Sequence, residues 1–242
     1  MKSILSYGGG VNSSALFFYI LDNNMPLDLV IFADTGEEMN TTYKSVEMME
    51  EICDNKGIDF ITVKSSYGNL YDYYYKNRAL PSLMRRDCTG KFKISPIRKY
   101  LRKTYGKKQQ FIMYIGIAYD EATRMRESDV KYIKNSYPFC DDKITRTGNI
   151  EILKKYKFIA SKSGCRGCIY TKRKEWIFML LNNYKEFERQ NKLEKNCRRY
   201  PEILLNDNYS LNNLKKAYKG QQKLNKFIDM EISCDVAGSC FL

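Results

Sequence analysis

The sequence predicts an α/β fold, a parallel sheet flanked by helices with a helical C-terminal elaboration. Three observations carry this: short apolar runs alternate with amphipathic stretches from Lys2 to Val63, three glycines join the first run to the first helix, and an acidic turn closes the second run. Lys2-Ser3-Ile4-Leu5 reads as a buried strand and Asn12 to Leu21 as the helix after it. Asp28 to Ala33 supplies the second strand, ending in Asp34-Thr35-Gly36-Glu37-Glu38. A helix from Thr41 to Asp54 follows, with Val46, Met49, Ile52 and Cys53 on one face, and Ile58 to Val63 is the third strand. Such units imply parallel pairing through right-handed crossovers. Ligands of these sheets bind beyond the strand C-terminal ends, where the glycine turn and Asp34 both fall.

Beyond Lys64 the pattern is less regular. Tyr73 to Tyr75 read as aromatic packing beneath a loop, Ser95 to Lys103 as a helix, Phe111 to Ile117 as a buried strand and Asp142 to Tyr156 as a helix. Lys172 to Asn191 carries Trp176, Ile177, Leu180, Leu181, Tyr184 and Phe187 at helical spacing, which marks a core-facing helix. Ser210 to Ile228 is a basic amphipathic helix, with Lys215, Lys216, Lys219, Lys223 and Lys226 set apart from Leu211, Leu214 and Leu224. A solvated face is the first reading of those lysines and a phosphate-contacting surface the second.

The chain's 242 residues are enough for one sizeable core. No long apolar run could span a bilayer, and the first strand begins within the first few residues, so a cytoplasmic location without membrane partners is expected. In that setting the eight cysteines read as thiols, metal ligands or redox groups before disulfides. The net charge of +13 favours nucleotides, nucleic acid or a phosphorylated substrate, although abundant lysine can also reflect compositional bias. The absence of histidine excludes a Ser-His-Asp triad, a Cys-His pair and every histidine-ligated metal site. Acid-base work falls to Asp, Glu, Lys, Tyr or Cys.

Ser6-Tyr7-Gly8-Gly9-Gly10-Val11-Asn12-Ser13-Ser14 has the makings of a phosphate cradle. Glycine lets the backbone approach an anion, and the first amides of a helix lack intrahelical acceptors and carry the positive end of its dipole. Ser13 and Ser14 add hydroxyl donors. A Walker loop would need a lysine that is missing here, and a dinucleotide fingerprint fits only in part because Ser13 stands at its third glycine. Ser163-Gly164-Cys165-Arg166-Gly167-Cys168 is the second signal, because a Cys-x-x-Cys turn can direct two sulfurs to one metal or act as a dithiol. Cys88 and Cys140 also lie in turn-like contexts. Convergence of Cys88, Cys140, Cys165 and Cys168 would suit zinc or an iron-sulfur cluster, and the alternative is that Cys88 and Cys140 are small buried residues. Cys53 and Cys197 read as structural.

Gly8-Gly9-Gly10-Val11-Asn12-Ser13 resembles the PP-loop, Ser-Gly-Gly-x-Asp-Ser, with Gly for its first Ser and Asn12 for its Asp. Taken with Ala33-Asp34-Thr35-Gly36-Glu37, Arg86-Asp87-Cys88-Thr89, Lys93-Ile94-Ser95-Pro96, Gly116-Ile117, Asp120-Glu121, Arg124 and the Cys165/Cys168 turn, the ordered series resembles the PAPS reductase-like family of the adenine nucleotide alpha-hydrolase superfamily, which includes DndC-like sulfur-transfer proteins. The resemblance implies an adenine nucleotide alpha-hydrolase-like fold, with a PP-loop domain over residues 1–180 and a helical extension over 181–242 packed on it. It implies ATP with Mg2+ as ligands, and Ser6, Gly8, Gly9, Gly10, Asn12, Ser13, Ser14, Asp34, Thr35 and Gly116 as nucleotide-binding positions. Lys93, Arg98 and Arg124 would offset charge, while Cys165 and Cys168, with Cys88 and Cys140, would hold a 4Fe-4S cluster or Zn2+ or relay sulfur. The activity implied is adenylation of an acceptor with pyrophosphate release, followed by sulfur transfer, with nucleic acid as a candidate acceptor and a cysteine desulfurase as a candidate donor. The chain ends in Ser233-Cys234-Asp235 through Ser239-Cys240 without the Glu-Cys-Gly and histidine tail of assimilatory reductases, which ranks PAPS or adenylylsulfate reduction second. A zinc-stabilised nucleic-acid-binding protein without turnover is the third reading.

Overall fold

The central strands of the sheet are short and buried on both faces and helical crossovers join successive strands, so all pairings are parallel and the order is β3-β2-β1-β4-β5. The structure is a computed structural model and describes residues 1–81, 87–205 and 209–219. The elements are β1 (Lys2–Tyr7), α1 (Val11–Asp22), β2 (Leu29–Asp34), α2 (Asn40–Lys56), β3 (Asp59–Lys64) and α3 (Leu70–Lys76). Next come α4 (Asp87–Thr89), a π turn (Gly90–Ile94), α5 (Ser95–Tyr105), β4 (Phe111–Ile115), a 3-10 turn (Tyr119–Arg124) and β5 (Ile133–Ser136). α6 (Pro138–Asp141), α7 (Arg146–Lys155), α8 (Arg173–Asn182), α9 (Tyr184–Asn196) and α10 (Leu211–Lys219) complete the fold.

Alternation along each strand divides the core. Leu5, Tyr7, Val30, Phe32 and Tyr114 pack on α1, α2 and α7, whereas Ile4, Leu29, Ile31, Ala33 and Met113 pack on α5. A third cluster joins Trp176, Phe187, Leu193, Leu211 and Leu214 of the C-terminal helices to Leu70, Tyr74 and Phe92. The expected boundary at residue 180 falls inside α8, and the C-terminal helices share this core with residues from the N-terminal part. Among the described residues no helix is long and apolar enough to cross a membrane.

Where the observed elements depart from the sequence reading, local side-chain chemistry explains it. Lys172 to Asn191 is two helices, because Asn183 leaves helical geometry and its side chain accepts from Glu186 N at 3.2 Å to cap α9. Tyr184, expected in the core, is exposed. The stretch expected as a helix from Asp142 becomes helical only at Arg146, after Lys143 takes a positive φ. The tyrosine run is a helix rather than a loop: Asn69 accepts from Tyr71 N at 2.8 Å and Asp72 N at 3.3 Å at its start. Cys53 and Cys197 are buried. On α10, Leu211 and Leu214 are buried, but Lys215 pairs with Glu188 at 2.8 Å instead of standing in solvent. Arg86, Lys223, Lys226, Cys234 and Cys240 lie outside the described residues, as does the Lys219 side chain.

Candidate functional site

β1 is central, and the strand order reverses between it and β4, so the crevice beyond these two strand ends is the topological switch point of the sheet. The glycine loop fills one side of that crevice. Gly9 takes φ +69°, and a Cβ there would lie 2.7 Å from Thr42 Cγ2, so both backbone and space require glycine. Ser13 Oγ accepts from Gly8 N at 3.1 Å and Gly10 N at 3.3 Å and donates to Gly10 O at 3.1 Å, which fixes the loop shape. Ser14 is a correction to its expected phosphate role. It is fully buried one position further round the helix, sharing a hydrogen bond of 2.9 Å with the Tyr7 hydroxyl, which donates to Ser45 O at 3.0 Å. Ser6 lies within β1 in register with Ile31 and Ile115, beneath the loop. Gly116 serves packing, since a Cβ there would come within 2.8 Å of the Asn12 carbonyl.

Asn12 sits in a polar network. Its amide donates to Glu121 Oε2 at 2.9 Å, and its Oδ1 accepts from Asn149 Nδ2 at 3.1 Å and Arg146 Nη1 at 3.4 Å. Arg124 Nη1 donates to the same Glu121 oxygen at 2.8 Å, which brings Arg124 near the start of α1. Arg98 is the second correction. It projects from α5 to pair with Asp129, away from the glycine loop's face of the sheet.

The acidic turn after β2 is bound to the cysteine turn by backbone. Glu38 and Cys165 form an antiparallel bridge, with Met39 N donating to Gly164 O at 2.9 Å and Arg166 N to Glu37 O at 2.8 Å. Asp34 Oδ1 accepts from Gly36 N and the Tyr43 hydroxyl, both at 2.8 Å, so this carboxylate shapes the turn. Glu38 is fully buried and is the centre of the constellation: Oε1 receives Lys93 Nζ at 2.9 Å, Thr35 Oγ1 at 3.0 Å and the Cys165 thiol at 3.5 Å. Its Oε2 finds no hydrogen-bond partner among the described residues. Lys93 arrives from the π turn, whose extra residue per turn re-aims a side chain relative to α4 and α5. Burial opposes its charge, but the Glu38 carboxylate outweighs this and holds the ammonium above its usual range. Burial, then Glu38, pushes the Cys165 thiol up to about 12, against the lowering effect of Lys93.

The same turn reaches the glycine loop. Ser163, two residues before Cys165, lies so close to Gly10 that a Cβ on the glycine would be 2.5 Å from Ser163 Oγ. Cys168 shares the turn with Cys165, its N–H donating to Cys165 O at 3.1 Å, and Cys88 is near enough to help burial raise the Cys168 pKa. Cys140 is elsewhere: on α6, buried, its thiol donates to Ile117 O at 3.4 Å. No group of three or more Cys, Asp or Glu among the described residues is gathered as for a metal ion, so these residues do not fit the expected four-thiolate centre.

Glu38, Glu121, Arg146, Asn149 and Ser163 are site residues to which the sequence reading gave no role, although Glu38, Glu121 and Ser163 fall within motifs it quotes. Glu38 and Ser163 adjoin residues it did select, so the signal was their position; Arg146 and Asn149 carry none, because α7 joins the site only through the packing of α1 on α7.

A family model for the phosphoadenosine phosphosulfate reductase domain matches residues 2–186. No curated protein sequence matches. Among solved structures, the crystal structure of phosphoadenylyl-sulfate (PAPS) reductase from Candida auris in a phosphate complex is similar with a TM-score of 0.47 and 11% identity, over 66% of this chain and 75% of that one.

Proposed function

Because the chain belongs to the phosphoadenosine phosphosulfate reductase domain family, we propose that it is an enzyme that binds an adenine nucleotide at its glycine loop and handles sulfur at Cys165. The observation that carries this reading is the Lys93-Glu38-Cys165 constellation, attached by backbone to the segment that lies over Gly10. Gly8 to Gly10 and the first amides of α1 hold the phosphates of ATP with magnesium as counter-ion, and Arg124 and Lys93 offset charge as pyrophosphate leaves. The unpartnered Glu38 Oε2 is suited to a ligand hydroxyl or cation. Cys165, charged as a persulfide by a donor such as a cysteine desulfurase, attacks the adenylated acceptor through its outer sulfur with AMP as leaving group; Cys168 then attacks the Cys165 sulfur, releases the product as its thiolate and leaves a Cys165–Cys168 disulfide that an external thiol reduces. A thiol held protonated at rest is protected from oxidation until an anionic ligand or donor changes its surroundings.

Reduction of PAPS is the second reading, favoured by the family and by the tight Cys165/Cys168 turn, which suits attack by one thiol and resolution by the other. One assay separates them. Reduced protein is given MgATP, a labelled persulfide donor and candidate acceptors in one arm and PAPS in the other, following pyrophosphate and sulfite. Pyrophosphate from ATP, lost in Lys93→Met, with label transfer lost in Cys165→Ser, supports the first reading. Sulfite from PAPS without pyrophosphate makes the second correct, and neither product overturns both.

A further inference from the structure

The π turn serves two places. Lys93 reaches Glu38, whereas Lys91 lines a groove of about 330 Å3 between the end of β3 and α5. Lys64, Lys99 and Lys103 complete its basic lining, together with Ser66 and the Tyr100 ring. Two carboxylates face these four lysines: Asp34 lies 3.5 Å from Lys64 and Asp87 lies 2.9 Å from Lys91. Lys99 and Lys103, one helical turn apart on the exposed face of α5, have no ion-pair partner among the described residues. Tyr67 follows Ser66 directly and is 53% exposed, its backbone N–H held by Ser65 Oγ at 3.2 Å. The groove therefore combines surplus positive charge with an exposed tyrosine, Tyr67, at its rim and the half-buried Tyr100 in its lining. It is linked to the candidate site through Lys64 on Asp34, and through Lys91 and Lys93 on one turn.

We propose that this groove binds the backbone of single-stranded nucleic acid and so presents the acceptor, a step that rests on the sulfur-transfer reading above. Lysine ammonium groups neutralise phosphates without the bidentate geometry that reads base edges, so the contacts are sequence-independent. Side chains at Lys99 and Lys103 start roughly 5–6 Å apart, a separation that reaches neighbouring phosphates of one strand. Tyr67 offers an exposed ring on which an unpaired base stacks, and a duplex keeps the faces of its bases hidden. A free nucleotide's phosphates have a separate place at the glycine loop.

The test is fluorescence anisotropy of labelled oligo-U and oligo-dT twelve-mers across a salt series, with MgATP affinity measured by calorimetry on the same preparations. Two to four phosphate contacts, Lys99 and Lys103 with or without the ion-paired Lys64 and Lys91, give a log-log salt slope of about −1.4 to −2.8 for a single strand. K99Q/K103Q removes two of them and shallows the slope by about 1.4, with about tenfold weaker binding at low salt. Both residues are exposed, so the fold survives. The charge-matched K44Q/K154Q, on α2 and α7 across the sheet, leaves binding unchanged. Absence of oligonucleotide binding, equal loss in both variants, equal affinity for duplex, or full competition by ATP at equal phosphate concentration overturns the groove assignment. Loss of ATP binding with oligonucleotide binding intact instead overturns the catalytic reading and leaves the groove standing.

Discussion

Asn12 and Glu121 are paired amide to carboxylate at 2.9 Å, which joins the start of α1 to the 3-10 turn beyond β4. An aspartate at this position would keep one oxygen toward Asn149 and Arg146 but would set the other against Glu121. The residue that departs from the PP-loop pattern is thus the one its neighbour requires.

The first prediction follows from that pairing. Asn12→Asp loses a hydrogen bond and gains a carboxylate repulsion, offset in part by Arg124 and Arg146, and costs about 1–3 kcal/mol in urea unfolding. Adding Glu121→Gln restores an amide-carboxylate pair and recovers most of the loss. Additive destabilisation in the double variant would show that the two residues are not coupled.

Lys93 gives the second prediction. Glu38 is fully buried, so Lys93→Met strands its carboxylate. A fully buried pair broken this way costs about 3–5 kcal/mol; because the Lys93 side chain is 37% exposed, about 2–3 kcal/mol is expected here. Glu38→Gln, which retains an acceptor for Thr35, is milder, and Lys93→Met combined with Glu38→Gln is more stable than Lys93→Met alone. Stability of Lys93→Met equal to wild type would remove the ion pair from the account.

The sheet was legible in the sequence because each buried strand is a compact apolar run between turn signals, as in Leu29–Asp34. The glycine loop was legible because a positive φ and close backbone approach select glycine whatever lies around them, as at Gly9. β5 was missed because Ile-Lys-Asn-Ser at a sheet edge is neither apolar nor alternating. The cysteines show the limit most clearly: spacing placed Cys165 and Cys168 on one turn, but Cys88 and Cys140 are positioned by tertiary packing that no local pattern records. Glu38 and Lys93, fifty-five positions apart, meet only after α2, β3 and the π turn are folded.

The third prediction concerns alkaline pH. The Cys165 thiol is raised from 9.0 to about 12, so between these values the unfolded chain ionises it while the folded protein keeps the proton. The unfolded state is therefore increasingly favoured as pH climbs from 9 towards 12, and the penalty is absent below pH 9. Cys53, raised to about 12 by burial, acts in the same sense. Urea unfolding of Cys165→Ser across this range should fall less steeply than wild type, with the Cys53 contribution remaining. Parallel profiles would mean that Cys165 ionises normally in the folded protein.

Arg189 tests whether α9 supports the acidic turn. Its guanidinium forks onto Glu37 with both contacts at 2.7 Å and lies 3.7 Å over the Tyr71 ring, while Glu37 O anchors Arg166 next to Cys165. Glu37 is only 2% exposed, so Arg189→Met leaves a buried carboxylate without its cation; with the Arg189 side chain 32% exposed, the cost is about 2–3 kcal/mol. Arg189→Lys keeps the charge but loses the planar fork and the stacking, and an intermediate loss of about 1–2 kcal/mol is expected. Urea unfolding gives both values, and Cys165 alkylation below the unfolding transition reports the coupling, because a loosened Glu37 segment releases the bridge that holds the thiol against Glu38. The expected result is faster alkylation in the order wild type, Arg189→Lys, Arg189→Met. Stability loss with unchanged alkylation would confine Arg189 to holding the C-terminal helices in place.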